Sequence, residues 1–229
     1  MFLKRYERMY NQLLESLTMN RRNLAIFFGA LLSVNLLFVT APAVAADMAA
    51  DAFIKQLSDE VIDTIKGDKS FQSGNMTKLN ALVDAKVMPN VNFRRITASA
   101  VGPGWSKATP EQQKQLQEEF KSLLLRTYAG ALSQITDQTI TVKPLRSNPE
   151  DNEIVVRTEV RGKGEPIQLD YRLEKTPGAG SGWKIYNLNV MGVWLMETFR
   201  SQFSQEINAK GVDGLIATLK SRNQAMAGK

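Results

Sequence analysis

The sequence predicts an α+β fold, in which about six helices pack on the apolar face of a curved four-stranded antiparallel sheet. Apolar residues recur at helical spacing through the first half of the chain, whereas the second half alternates between apolar and polar residues as strands do. The strands follow one another with short loops, which favours antiparallel pairing. With 43% hydrophobic and 23% charged residues, the 229-residue chain has the balance of an ordinary globular protein.

Neither His nor Cys occurs in the chain, and their absence narrows the chemistry that the chain can perform. Cys–His nucleophiles, Ser–His triads, thiolate zinc sites and imidazole metal sites are all excluded. No Gly-rich phosphate loop follows a predicted strand, and no group of carboxylates has the spacing of a calcium loop. We therefore expect neither a metal nor a cofactor.

Residues 19–45 have the pattern of a secretory signal peptide. Arg21 and Arg22 form its charged start and precede an apolar run. The run ends in small residues, with Ala43 and Ala45 spaced as a cleavage site requires. This pattern predicts export of the chain and removal of the segment.

A membrane anchor is the alternative interpretation of this segment, but the apolar run is short, contains Asn35 and lacks a basic stop. Residues 1–18 are then an N-terminal extension or a mis-assigned start, and residues 46–229 form the mature, exported domain. The first 46 residues carry five Lys or Arg and two Glu, a net +3 of the chain's +6. The remaining charge of about +3 is mild and does not indicate a protein that binds nucleic acid.

Residues 46–136 are predicted to be helical, with four helices before the first strand. The first three are amphipathic, the second ending before Pro89 and the third at Gly102. Their apolar faces consist of Phe53, Leu57, Val61 and Ile65, then Leu79, Leu82 and Val83, and then Phe93, Ile96, Ala100 and Val101. Trp105 is expected in a turn after the third helix.

The fourth helix has the clearest start signal in the chain. Thr109 is the expected N-cap, Pro110 is the first helical residue, and Gln112 completes a capping box. Large apolar side chains follow at helical spacing: Leu116, Phe120, Leu123, Leu124, Tyr128, Leu132 and Ile135. Because the apolar face widens around Leu124, neighbouring elements are expected to cover this helix on more than one side.

Residues 137–192 are predicted to form the sheet. The first strand covers about residues 139–145 and the second residues 153–161, and a Gly-Lys-Gly turn leads to the third. The third strand, residues 166–175, alternates without error, with an inward face of Ile167, Leu169, Tyr171 and Leu173. Its other face carries charges of both signs, as a solvated face with cross-strand pairs does.

A strand followed directly by a helix, residues 182–203, supplies much of the large apolar surface. The strand is apolar on both sides, with Trp183 and Ile185 on one and Tyr186, Leu188 and Val190 on the other. Such a strand needs cover on both faces, or a β-bulge that moves its inward face along the strand.

The C-terminal part, residues 193–229, is predicted to be helical. After a turn at Gly192, the first of its helices carries Val193, Trp194, Leu195, Met196, Phe199 and Phe203. Gly211 is expected to break the chain before a last amphipathic helix.

Two interpretations of the apolar interior are open at this point. A curved sheet covered by helices can enclose an apolar ligand cavity, but the same pattern fits a solid core. Catalysis has little support, because Asp170 and Tyr171 are neighbours on one strand and must face opposite ways. An enzyme of a cone-shaped α+β fold, acting on a small apolar substrate, is the alternative to a binding protein.

Four stretches of the chain, which together span nearly all of the mature part, resemble one family. They are FRRITASAVGPGW (93–105), ATPEQQKQLQEEFKSLLLRTYAGAL (108–132), GEPIQLDYRL (164–173), and a last stretch in two parts, GWKIYNLNVMGVWLMETFRSQF (182–203) and INAKGVDGLI (207–216). They resemble the MlaC family, the periplasmic phospholipid-binding proteins of the toluene-tolerance type. The resemblance implies a carrier, not an enzyme, that shuttles phospholipid between the outer and inner membrane and so maintains the lipid asymmetry of the outer membrane.

The same resemblance implies a site and partners. The acyl chains would occupy an apolar cavity between sheet and helices, with the headgroup towards solvent. The partners would be an outer-membrane lipoprotein–porin complex and an inner-membrane lipid-transport ATPase complex, and we expect the chain to be a monomer. A periplasmic carrier for lipoproteins is a third possibility. The residues expected near the lipid are Trp105, Phe120, Leu124, Tyr128, Val156, Leu169, Tyr171, Tyr186, Val190, Trp194, Phe199 and Phe203.

Overall fold

The computed structural model describes residues 48–146, 148 and 151–227. The predicted signal peptide, residues 19–45, lies outside this described part. The described residues form helices and an antiparallel sheet, so the α+β class is confirmed. No helix among them is long and apolar enough to cross a membrane.

Six helices occur within the described residues, and five of them precede the sheet. They are α1 (Ala50–Gly67), α2 (Met76–Leu82), α3 (Phe93–Val101), α4 (Gly104–Lys107), α5 (Pro110–Ser133) and α6 (Leu195–Ala227). A π-helical turn, Val83–Val87, and a 3-10 turn, Met88–Asn90, continue α2. Gly211 breaks α6 as predicted, since its φ of 69° and ψ of −173° are not helical.

The short helix α4 corrects the prediction for Trp105, which was expected in a turn. The Ala108 N–H donates to the Gly104 carbonyl oxygen at 3.0 Å, and this bond closes one helical turn around Trp105. The indole itself is buried against α3 and the later helices.

The described part of the sheet has five strands, not the four that were predicted. They are β1 (Thr139–Val142), β2 (Glu153–Arg161), β3 (Ile167–Lys175), β4 (Trp183–Val190) and β5 (Val193–Trp194). Neighbours in the chain are neighbours in the sheet, and every pair is antiparallel. The extra strand contains two residues that were expected to start the first of the C-terminal helices.

The reason for the extra strand is a tight turn. Met191 and Gly192 both have positive φ, 49° and 84°, as a two-residue type I′ hairpin turn requires. The chain therefore folds back on itself, with Val193 opposite Val190 and Trp194 opposite Asn189. As a result α6 begins two residues later than predicted.

A β-bulge in β4 explains why that strand is apolar on both sides. Arg172 of β3 pairs with Asn187 and Leu173 pairs with Ile185, so Tyr186 is an extra, unpaired residue. The alternation of inward and outward side chains therefore shifts by one residue at the bulge. Ile185 faces inward before the bulge, and Leu188 faces inward after it. The prediction of a bulge is confirmed, but the grouping of Tyr186 with Leu188 is wrong, because the bulge turns Tyr186 to the outer face.

The inward face of the sheet packs against two groups of helices. On one half, Val156, Leu173 and Ile185 pack against α1. On the other half, Leu169 and Val190 pack against α3, α5 and α6. A further apolar cluster joins α1, α2 and the far side of α5. The helix α5 is thus central, and none of its residues from position 121 to its end at Ser133 is exposed, as its broad apolar face predicted.

The predicted capping box of α5 is present. The Gln112 N–H donates to Thr109 Oγ1 at 3.2 Å, and the Thr109 N–H donates to Gln112 Oε1 at 2.9 Å. We expect Thr109→Ala to lower the free energy of unfolding by about 1 kcal/mol, because it removes one of these two bonds. Urea unfolding measures this, with Thr109→Ser as the control that keeps the hydroxyl and the stability. Equal stability of the Ala and Ser variants would contradict the cap.

Candidate lipid-binding site

The structure brings together most of the residues that were expected near a lipid. Eight of the twelve belong to one cluster between the sheet and α3, α5 and α6: Trp105, Phe120, Leu124, Tyr128, Leu169, Val190, Phe199 and Phe203. Val156 and Tyr171 belong to the neighbouring cluster beneath α1. Tyr186 and Trp194 lie apart from both, on the outer face of the sheet.

The centre of the larger cluster is a packed aromatic core. Phe120 is fully buried. Its ring meets those of Phe199 and Phe203 edge-on, with centroids 4.8 and 5.1 Å away. Edge-to-face contacts of this kind add to the energy of area burial. Because Trp105 and Val190 are also buried here, this part of the interior has the character of a solid core.

Next to this core lie apolar side chains that face the interior but remain only half-buried. They are Leu124 and Tyr128 of α5, Leu169 and Tyr171 of β3, and Leu188 of β4. The strand β3 has a neighbour on each side, and α5 is covered along this whole stretch. Inward-facing side chains in such positions are normally fully packed. Their residual accessibility indicates space beside them, and we refer to these five residues as the inner wall.

The inner wall combines apolar surface with a neutral hydroxyl. Burial raises the pKa of the Tyr171 phenol above its ordinary value, and hydrogen bonds with Ser58 and Thr158 offset only part of this effect. The phenol therefore stays uncharged at neutral pH. A wall of this chemistry suits an apolar ligand.

Asp170 does not join Tyr171 in a catalytic arrangement. Tyr171 is paired with Leu188 on the inward face, whereas Asp170 faces outward and accepts from Gln168 Nε2 at 2.8 Å. The expectation that Asp170 lies on a solvated face is wrong, since it is only 6% exposed. Asp170 lies on the central strand β3, directly between Arg157 of β2 and Asn189 of β4, and these larger neighbours flank it on the outer face.

On the outer face of the sheet, the aromatic rings of Tyr186 and Trp194 each contact an arginine side chain. Arg95 lies over the Tyr186 ring at 3.6 Å, and Arg172 lies over the Trp194 ring at 3.9 Å. Arg95 also bonds the carboxylates of Glu153 and Glu174. Tyr186 and Trp194 therefore belong to a charged, outward-facing surface. Sequence reasoning missed the arginines because their partners are distant in the chain.

Two carboxylates of this surface, those of Glu153 and Glu197, have a pKa below the ordinary value. Hydrogen bonds from Arg95 and Tyr186 lower the pKa of Glu153. Burial alone would raise the pKa of Glu197, but hydrogen bonds from Asn187 and Arg172 outweigh it and lower that pKa as well. The ion pairs on this face thus persist at neutral pH.

These elements define the class: an α+β protein in which helices cover the inward, apolar face of an antiparallel sheet. The MlaC protein family model matches residues 55–221 of the chain. The chain therefore belongs to the MlaC family.

Individual proteins agree with this assignment. The toluene tolerance protein Ttg2D of Pseudomonas putida is 29% identical over 161 residues, which cover 70% of this chain and 74% of that protein. The intermembrane phospholipid transport system binding protein MlaC of Haemophilus influenzae is 24% identical over 204 residues, covering 88% of this chain and 95% of that protein.

A solved structure is also similar. It is the phospholipid-binding protein of Ralstonia solanacearum in complex with a phospholipid. Its sequence is 48% identical, the TM-score is 0.75, and the match covers 78% of this chain and 98% of that one.

Proposed function

We propose that this chain is a phospholipid carrier of the periplasm, which moves lipid between the outer and inner membranes and so maintains outer-membrane lipid asymmetry. The observation that carries the proposal is the 48% identity and shared fold with a protein whose structure contains a phospholipid. Membership of the MlaC family supports it further. The comparisons give no support to the alternative of an enzyme.

The proposed lipid site lies between the sheet and α5. The acyl chains contact the inner wall, whose side chains are apolar and incompletely packed, and the headgroup points to solvent. The packed aromatic residues around Phe120 support this wall from behind. In this proposal Tyr186 and Trp194 do not touch the acyl chains, since both lie on the opposite face of the sheet.

Energetics indicate that the carrier holds its lipid tightly. The two chains have on the order of 30 methylenes, each worth roughly 0.8 kcal/mol when removed from water. The gross gain of about 20 kcal/mol or more is near the ceiling of non-covalent affinity. A bilayer offers the acyl chains a similar gain, so the free energy of the lipid differs little between carrier and membrane. Passage of the lipid through water is slow, because the acyl chains lose this gain on the way.

Exchange therefore requires docking on a partner that opens the site. We propose as partners an outer-membrane lipoprotein–porin complex and an inner-membrane ATPase complex. The sequence contains no nucleotide-binding loop, so any energy input comes from the partner.

Transfer of fluorescent phospholipid from the loaded protein tests the proposal. With the inner-membrane complex embedded in liposomes we expect fast transfer, and with bare liposomes slow transfer. Fast, complete transfer to bare liposomes would refute partner-gated release. Protein that cannot be loaded with phospholipid, but accepts an acylated peptide, would instead identify a lipoprotein carrier.

A further inference from the structure

The outer face of the sheet contains a polar groove made of two adjoining hollows. One, of about 320 Å³, has the charged residues Arg146, Asp151, Glu153 and Arg157 in its lining. The other, of about 180 Å³, reaches α3 and α6 and is lined by Ser99, Asn187, Met196, Glu197 and Arg200. Arg172 and Tyr186 line both hollows and so join them. We refer to the six residues Arg157, Arg172, Tyr186, Asn187, Glu197 and Arg200 as the arginine groove.

The groove and the proposed lipid site lie on opposite faces of the same strands. Arg157 follows the inward-facing Val156, and Arg172 follows the inward-facing Tyr171. Neighbouring strands lie about 4.8 Å apart, so the groove spans roughly 10 Å from β2 to β4. The strand residues of the groove are thus separated from the inner wall by the thickness of the sheet.

The two hollows together contain four arginines, Arg146, Arg157, Arg172 and Arg200, and three carboxylates, Asp151, Glu153 and Glu197. Because Glu153 is paired with Arg95, a residue outside the lining, the arginines are not fully neutralised. Glu197 accepts from Arg172 at 2.6 Å and from Asn187 at 2.9 Å. Arg157 lies opposite Asp170 in the sheet, but among the residues that the structure describes neither Arg157 nor Arg200 forms a salt bridge. Two exposed guanidinium groups are thus available at the two ends of the groove.

Arg172, at the centre of the groove, is held in place before any ligand arrives. Its guanidinium stacks on Trp194 and bonds Glu197. A guanidinium has five N–H donors, and the bond to Glu197 uses only part of this capacity. A fixed fork of donors matches the geometry of a carboxylate and loses little entropy on binding one.

From this arrangement we propose that the arginine groove binds an acidic segment of a partner protein. A flat bilayer surface does not fit a concave site, whereas an extended peptide, at about 3.3 Å per residue, places its carboxylates along one. Since the carrier must dock in order to exchange lipid, the inference rests on the proposed function. It adds that the docking surface is the face opposite the lipid.

Binding of a fluorescent hexaglutamate peptide to the lipid-loaded protein tests the proposal. We expect the double variant Arg157→Glu/Arg200→Glu to weaken binding at least tenfold, and Arg157→Gln/Arg200→Gln to weaken it less. The matched control is Lys220→Glu/Arg222→Glu, which makes the same charge change at exposed positions of α6 outside the groove. The control should bind as the unmodified protein does.

Co-purified phospholipid is measured in every variant. Phospholipid that is retained in a groove variant unable to bind the peptide supports the inference. Absence of phospholipid from every variant refutes the proposed function, independently of the peptide result. Equal weakening in the groove and control variants would overturn the inference. Displacement of the peptide by inorganic phosphate, or groove-dependent binding to phosphatidylglycerol vesicles without binding to the peptide, would also overturn it, because the ligand would then be a phosphate group or a membrane.

Discussion

Leu169→Trp is expected to expel bound phospholipid while the chain stays folded. Leu169 faces inward from the central strand β3 but is only half-buried. The larger indole should therefore fill space that the acyl chains occupy, without displacing packed side chains. Phospholipid extracted per mole of protein, together with a urea unfolding curve, measures both parts of the prediction.

Val190→Trp is the matched control, because Val190 lies directly opposite Leu169 on β4. Val190 is only 3% exposed, so a Trp there overpacks a filled region at a cost of about 1–3 kcal/mol. We expect this variant to lose stability as well as lipid. If Leu169→Trp keeps its lipid, or loses stability as Val190→Trp does, Leu169 does not border the lipid site.

Phe120→Ala is expected to lower the free energy of unfolding by about 3–5 kcal/mol, the usual cost of removing a buried Phe side chain. Phe120 is fully buried and meets Phe199 and Phe203 edge-on. Because these rings come from α5 and α6, the loss should loosen the contact between the two helices. Urea unfolding measures the change.

Phe120→Leu is the control, since it keeps most of the apolar volume and should cost much less. A loss below about 1 kcal/mol for Phe120→Ala would show that the surroundings collapse into the space. The aromatic cluster would then belong to an adaptable ligand wall and not to the supporting core.

Local patterns in the sequence predicted the features that local physics determines. The capping box at Thr109, the alternation of β3 and the break at Gly211 all follow from spacing or from one residue's conformational preference. The bulge in β4 was one of two possibilities that the sequence predicted. A strand that is apolar on both sides must either be covered on both faces or change its inward face at a bulge.

The positions of the site residues depend more on tertiary contacts, which the spacing of residues along the sequence does not reveal. The place of the bulge could not be predicted, so Tyr186 was expected on the wrong face. The strand β5 was missed because its turn is Met191-Gly192, whereas Asn-Gly or Asp-Gly is the usual signal. The stacking of Arg95 on Tyr186 joins residues far apart in the chain, and nothing local indicates it.

Native mass spectrometry of the exported protein, purified without added lipid, tests the central claim most directly. We expect a major species heavier than the mature chain by the mass of one phospholipid, and fragmentation that releases this lipid. A bare chain as the only species, in protein that is folded by circular dichroism, would contradict a phospholipid carrier.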